Sequence, residues 1–204
     1  MFRGGFGFQA ADAVLHVGAW KEAQAIFDIL QDLCEDSLLR QELLMDGTIR
    51  YGQLESIRAY AREKLAEPEA VENELSGERA LQETAYRHAS YYSQLGERSF
   101  LVELDGLEAS KHWSILFTEQ DNLVAGTEHG TAASATLCCL AALKVLGMKG
   151  PASLGIELTT RVLQLQDLSA QMTLQLRLER TKFLRISGRM KEARQYLIQS
   201  QEKK

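Results

Sequence analysis

Apolar residues recur at helical spacing along most of the chain. In residues 8–17, Phe8, Ala11 and Leu15 fall on one side of a short helix. In residues 21–34, Ala23, Ile26, Phe27, Leu30 and Leu33 make a stripe at i, i+3, i+4, i+7 and i+10. The other face of that second helix carries Asp28, Gln31, Asp32 and Glu35 and is acidic. Gly4, Gly5 and Gly7 predict a turn ahead of the first helix. From Ser37 the period changes: LLRQELLMDGTIRYGQL places Asp46-Gly47 between two short runs, the dipeptide favoured in a two-residue hairpin turn. Strands are expected over 43–45 and 48–54. Two strands alone are marginal, so this hairpin must pack on the preceding helices. A third helix over 55–66 turns Ile57, Tyr60, Ala61 and Leu65 inward and stops near Pro68.

The segment EPEAVENELSG (67–77) is acidic and poor in large apolar residues, and reads as a linker. Helices are expected over 77–98, 107–129, 132–146, 152–166, 169–186 and 189–201, with Pro151 at a first helical position. Short joints at 147–150 and 187–188 force the last four into two antiparallel hairpins. GPASLGIELTTRVL and GRMKEARQYLIQS each open on a Gly and place a small residue, Gly155 and Ala193, five positions on, where a second helix must come close. Gly150 and Gly188 are 38 residues apart, near the period of tetratricopeptide arrays. The domains expected are 1–67, a linker over 68–78, and helical repeats over 79–204.

Composition leaves that picture in place: 45% hydrophobic, 25% charged and only two prolines suit long helices. The net charge of −5 opposes binding to a phosphate backbone. Arg177, Arg180, Lys182, Arg185, Arg189, Lys191 and Arg194 follow one another with Glu179 and Glu192 among them, as on the wet face of a helical hairpin. Cys34, Cys138 and Cys139 have no CxxC spacing, and reduced, buried thiols are expected. MFRGGFGFQAADAV lacks the apolar core of a secretory signal. The most apolar run, 132–148, is short for a membrane span and is broken by Lys144. A cytoplasmic chain without membrane contact is expected.

Four segments resemble the region after the nucleotide-binding domain in bacterial signal-transduction ATPases with numerous domains, including LuxR-type and maltose-activator-like regulators. FRGGFGFQAADAVL (2–15) is similar to the family's FRGGFTLEAAEAVL, and ILQDLCEDSLLR (29–40) to its L-x-x-L-V-D-K-S-L-L. YGQLESIRAYAREKLAE (51–67) is similar to R-F-R-L-L-E-T-I-R-E-Y-A-x-E-x-L, and EQDNLVA (119–125) to E-H-D-N-L-R-A. The resemblance implies a partial winged helix with one β-hairpin, followed by tetratricopeptide-like hairpins that receive a protein or small effector. It also implies a nucleotide-binding domain in cis. This sequence holds no G-x-x-x-x-G-K-[ST], and the family's winged helix begins with a helix upstream of the FRGGF block, so a fragment of a larger chain is expected. The exposed walls of such a fragment would lie near Phe2, Phe6 and Phe8 and along Tyr196 and Leu197.

No catalytic constellation emerges. His16, His88, His112 and His129 have no metal-ligand spacing; His88, in AYRHASYY, is expected to pack between helices. Ser37 and Ser187 lack a G-x-S-x-G context. Asp121 and Asn122 are expected to hydrogen-bond nearby groups rather than bind a metal. No catalytic, metal or cofactor residue is assigned. Tyr86, Tyr91, Tyr92, Trp113 and Phe117 are candidate anchors for a partner, although core packing is the simpler reading of such stripes. The expected function is a non-catalytic regulatory and protein-interaction segment of a signalling or transcription-regulating ATPase. The alternative is a DNA-binding regulator using helix 21–36, whose Glu22, Asp28, Asp32, Glu35 and Asp36 oppose one Lys.

Overall fold

The computed structural model describes residues 1–15, 24–44, 47–68 and 76–201, with side chains to residue 198. It is mainly α with one small antiparallel sheet. The chain divides into two compact units, Met1–Tyr91 and Tyr92–Lys204. The expected linker over 68–78 lies before that division, which falls inside a helix; residues 69–75 lie outside the described residues.

The first unit runs β1 (Phe6–Gly7), α1 (Phe8–Leu15), α2 (Ile26–Glu35), β2 (Arg40–Leu43), β3 (Ile49–Gly52), α3 (Glu55–Ala66) and most of α4 (Glu78–Ser93). The expected hairpin is β2–β3, with Gln41 opposite Tyr51 and Leu43 opposite Ile49. Leu44 N–H donates to Thr48 O at 2.9 Å, while Met45 and Asp46, the expected end of the first strand and start of the turn, lie outside the described residues. A third strand was not foreseen: β1 pairs with the other side of β3, Phe6 opposite Tyr51, giving the order β1-β3-β2. That arrangement resolves the marginal stability of two strands alone.

Several faces differ from the helical stripes expected. In α1 the buried residues are Ala10, Ala11 and Val14, while Phe8 and Leu15 are exposed. Helix α2 begins at Ile26, because Ala25 is extended (φ −58°, ψ 144°), and the expected turn over 21–23 lies outside the described residues. Leu30 is its buried anchor, while Phe27 is 58% exposed beside the acidic face. Helix α3 buries no residue fully, and Tyr60 and Ala61 are exposed. Phe2 and Phe6, expected on an open wall, are instead buried: their rings stack at 4.2 Å, and Phe6 stacks on Tyr51 at 5.8 Å. Helix α4 joins this unit through Arg87, whose Nε donates to Val14 O at 2.8 Å, and through buried His88, edge-on to Phe2 at 5.3 Å.

The second unit holds α5 (Arg98–Val102), α6 (Ala109–Thr118), α7 (Gln120–His129), α8 (Ala132–Lys149), α9 (Ala152–Val162), α10 (Ala170–Ile186) and α11 (Met190–Gln201). Its centre is α8, apolar on nearly every side, with Cys138, Cys139, Ala141, Ala142, Val145 and Leu146 buried; a helix apolar all round has to be an interior helix. By length and composition α8 could also cross a membrane, but 56% of that stretch is buried in the protein. Leu116, Leu123, Leu158, Leu176 and Leu184 complete the core, each worth about 1.5–3 kcal/mol on burial. Thr131 caps α8 and Ser169 caps α10, each side chain accepting a backbone N–H at 3.2 Å.

Three expected helices end or break early. Residues 77–98 stop at Ser93, pass through a 3₁₀ turn over Gln94–Gly96, and restart as α5 after extended Glu97. Residues 107–129 break at Glu119 (φ −98°, ψ 9°), and fully buried Asn122 donates from Nδ2 to Glu119 Oε2 at 2.7 Å at that point. Helix α9 ends at Val162, and the bonds Gln164 N–H to Arg161 O and Leu165 N–H to Val162 O tighten the following turn. Gly155 meets its expected partner helix: a Cβ there would stand 2.4 Å from the buried Phe183 ring of α10. Ala193 of α11 is buried as well.

Candidate functional site

The five aromatic candidates do not form one surface. In the first unit Tyr86 is half exposed and Tyr91 half buried. In the second unit Tyr92 is only 1% exposed; that corrects its place among the anchors, since a fully buried ring presents nothing to a partner.

Trp113 and Phe117 do come together. They stand one turn apart on α6, so the helix stacks their rings at 5.6 Å with an interplanar angle of 28°. Trp113 Nε1 donates to Leu104 O at 3.1 Å, which fixes the indole. Lys149, at the end of α8, holds its ammonium 3.7 Å from the centre of the Phe117 ring, a cation–π contact that joins a charge to the aromatic face. Phe100 meets His112 edge-on at 5.0 Å, and His112 Nδ1 lies 3.1 Å from Glu108 O. Val102, Leu107 and Met148 of this unit are exposed apolar residues.

The remaining residues singled out from the sequence are spread through the two units. Among the described residues no three His, Cys, Asp or Glu side chains gather as a metal site. His16 lies outside them, and Asp121 is exposed. Two of the basic residues singled out near the C-terminal hairpin pair locally, Lys182 with Glu179 at 2.6 Å and Arg189 with Glu192 at 2.5 Å, while the Arg180 guanidinium lies 4.6 Å from the Tyr196 ring centre.

Burial pushes the Cys138 thiol from 9.0 up to about 12, and burial, then Cys138 and Glu179, raise Cys139 as well. Half-buried Cys34 is expected to react with a disulfide reagent in the native protein, and Cys138 and Cys139 only after unfolding. Below pH 9 folded and unfolded thiols are all protonated and the pair has no effect. Above it the unfolded thiols ionise while the buried ones stay neutral, so unfolding gains about 1.4 kcal/mol per thiol per pH unit. Stability is therefore expected to fall from pH 9 toward 12, and chemical denaturation across that range checks it. A Cys138→Ala/Cys139→Ala variant should start lower but decline less steeply.

Sequence reasoning missed a cleft in the first unit, lined by Arg40, Glu42, Arg50, Tyr51, Gln53 and Arg58 together with Phe2, Gly4, Gly5, Phe6, Gly52 and Leu54. Arg50 is 8% exposed, and its guanidinium donates to Gly4 O at 3.1 Å and Gly5 O at 3.0 Å, fixing the glycine loop over the sheet. Gly5 has φ +89°, and a Cβ there would stand 2.7 Å from Tyr51 O, so this loop position needs glycine. No protein-family model, curated protein or solved structure matches the chain.

Proposed function

We propose that this chain is a non-catalytic regulatory and protein-interaction segment of a bacterial signal-transduction ATPase with numerous domains. The observation that carries the reading is where the four resembling blocks fall. FRGGFGFQAADAVL spans β1 and α1, ILQDLCEDSLLR spans most of α2 and the entry to β2, and YGQLESIRAYAREKLAE spans the end of β3 and all of α3. Strand, two helices and a hairpin, with sheet order β1-β3-β2, is the order a winged helix has after its opening helix. EQDNLVA opens α7, ahead of the α8–α9 and α10–α11 hairpins, which support tetratricopeptide-like repeats. On this reading the helical unit takes a protein or small effector, with Trp113 and Phe117 as the anchors, and the winged helix passes the signal to a nucleotide-binding domain in cis. The whole acts in the cytoplasm.

The DNA-binding alternative is opposed by charge. Over Ile26–Glu35, α2 exposes Asp28, Asp32 and Glu35 and has no Lys or Arg, so it would repel a phosphate backbone. The purified chain is expected to give no mobility shift with duplex DNA at low salt. A shift abolished by charge reversal in α2 would replace this reading with the alternative.

A further inference from the structure

The cleft of the first unit has a volume of about 230 Å³ and lies between the glycine loop, the hairpin and the start of α3. Its charge runs against that of the chain, which is −5 overall: Arg40, Arg50 and Arg58 face it against one carboxylate, Glu42. The three guanidiniums are not equally committed. Arg50 is held by the Gly4 and Gly5 carbonyls, and Arg58 is paired with Glu55 on the outer side of α3. The side chains of Arg40 and Gln53 make no hydrogen bond or ion pair among the described residues.

The geometry points to a site for a small ligand carrying a phosphate group, seated against Arg40 and Arg58 with the buried Arg50 behind them. Arg40, Arg50 and Arg58 against Glu42, with Glu55 on Arg58, leave one net positive charge, and a phosphate has enough oxygens to accept from Arg40 and Arg58 together. Guanidinium groups offer the paired donors that phosphate oxygens accept. The volume is below that of common small-molecule pockets, about 300–1,000 Å³, and suits a phosphate with a few carbons. The acidic face of α2 in the same unit repels a polyanion such as DNA. This inference stands on the cleft alone and is independent of the function proposed above.

The test is a titration of the full chain with inorganic phosphate and with glycerol 3-phosphate, read by amide chemical shifts at Gly5, Tyr51 and Gly52, with acetate and a short DNA duplex as comparisons. Saturable shifts are expected with both phosphates. Arg40→Gln and Arg58→Gln, checked for unchanged melting, should each weaken binding by roughly tenfold or more. Glu42→Gln should tighten it, because it removes the one carboxylate that lines the cleft. Lys149→Gln in the other unit should change nothing. The proposal is overturned by an absence of saturable shifts up to about 20 mM phosphate, by acetate binding as tightly as phosphate, by unchanged affinity in Arg40→Gln, or by DNA outcompeting both phosphates at these residues.

Discussion

Replacing Gly96 by alanine is expected to destabilise the helical unit by about 3 kcal/mol or more, the upper range for overpacking a core. A Cβ at this position would stand 1.9 Å from the carbonyl oxygen of Leu137 and 2.4 Å from its carbon. Both atoms belong to the backbone of α8, which is pinned by buried Thr136, Cys138 and Leu140 and cannot step aside. Gly155→Ala should cost less, because its Cβ would meet the Phe183 ring, a side chain that can tilt, and because alanine favours helix by about 1 kcal/mol. Gly147→Ala should stabilise by about 0.5–1 kcal/mol, since it lies in α8 with nothing within 4 Å of the added methyl. Denaturation midpoints of the three variants check this order. Equal effects at 96 and 147 would mean that the 94–96 turn does not lie against α8.

Arg50→Met is the second large effect, expected to cost the first unit about 2–4 kcal/mol. The substitution keeps most of the aliphatic stem but removes the donors to Gly4 O and Gly5 O, leaving two loop carbonyls without their guanidinium partner. It should strip hydrogen-exchange protection from the Phe6 and Tyr51 amides, because the loop that holds β1 against β3 loses its anchor. Arg40→Met on the exposed edge strand should stay within about 0.5 kcal/mol of the parent protein. Similar losses for the two arginines would remove the structural role assigned to Arg50.

The reach of the sequence can be judged residue by residue. Long periodic segments were readable: α8, α10 and α11 lie close to where their stripes place them, and the close approach at Gly155 follows from a small residue in an otherwise bulky face. What escaped was decided by partners distant in sequence. Strand β1 is two residues long and exists because β3 offers an edge to it, Tyr51 opposite Phe6 and Arg50 opposite Gly7. The break at Glu119 is a local change of backbone angles (φ −98°, ψ 9°), which helical periodicity does not register. Phe27 reads as a core residue by spacing, yet it is left exposed because Leu30 alone anchors α2.

The candidate site was legible only where it is local. Trp113 and Phe117 are four residues apart on one helix, so their stacking follows from spacing alone. The burial of Tyr92 depends on neighbours that spacing does not specify. The arginine cleft draws on the β2 strand, the β3 strand and the first turn of α3, and its glycine loop comes from the other end of the unit.

The most direct measurement of the proposed role is the coding frame on both sides of Met1 and Lys204, read from genomic DNA. A continuous frame encoding a P-loop nucleotide-binding domain upstream, and further helical repeats downstream, is the result predicted. An upstream frame without any nucleotide-binding domain would contradict it.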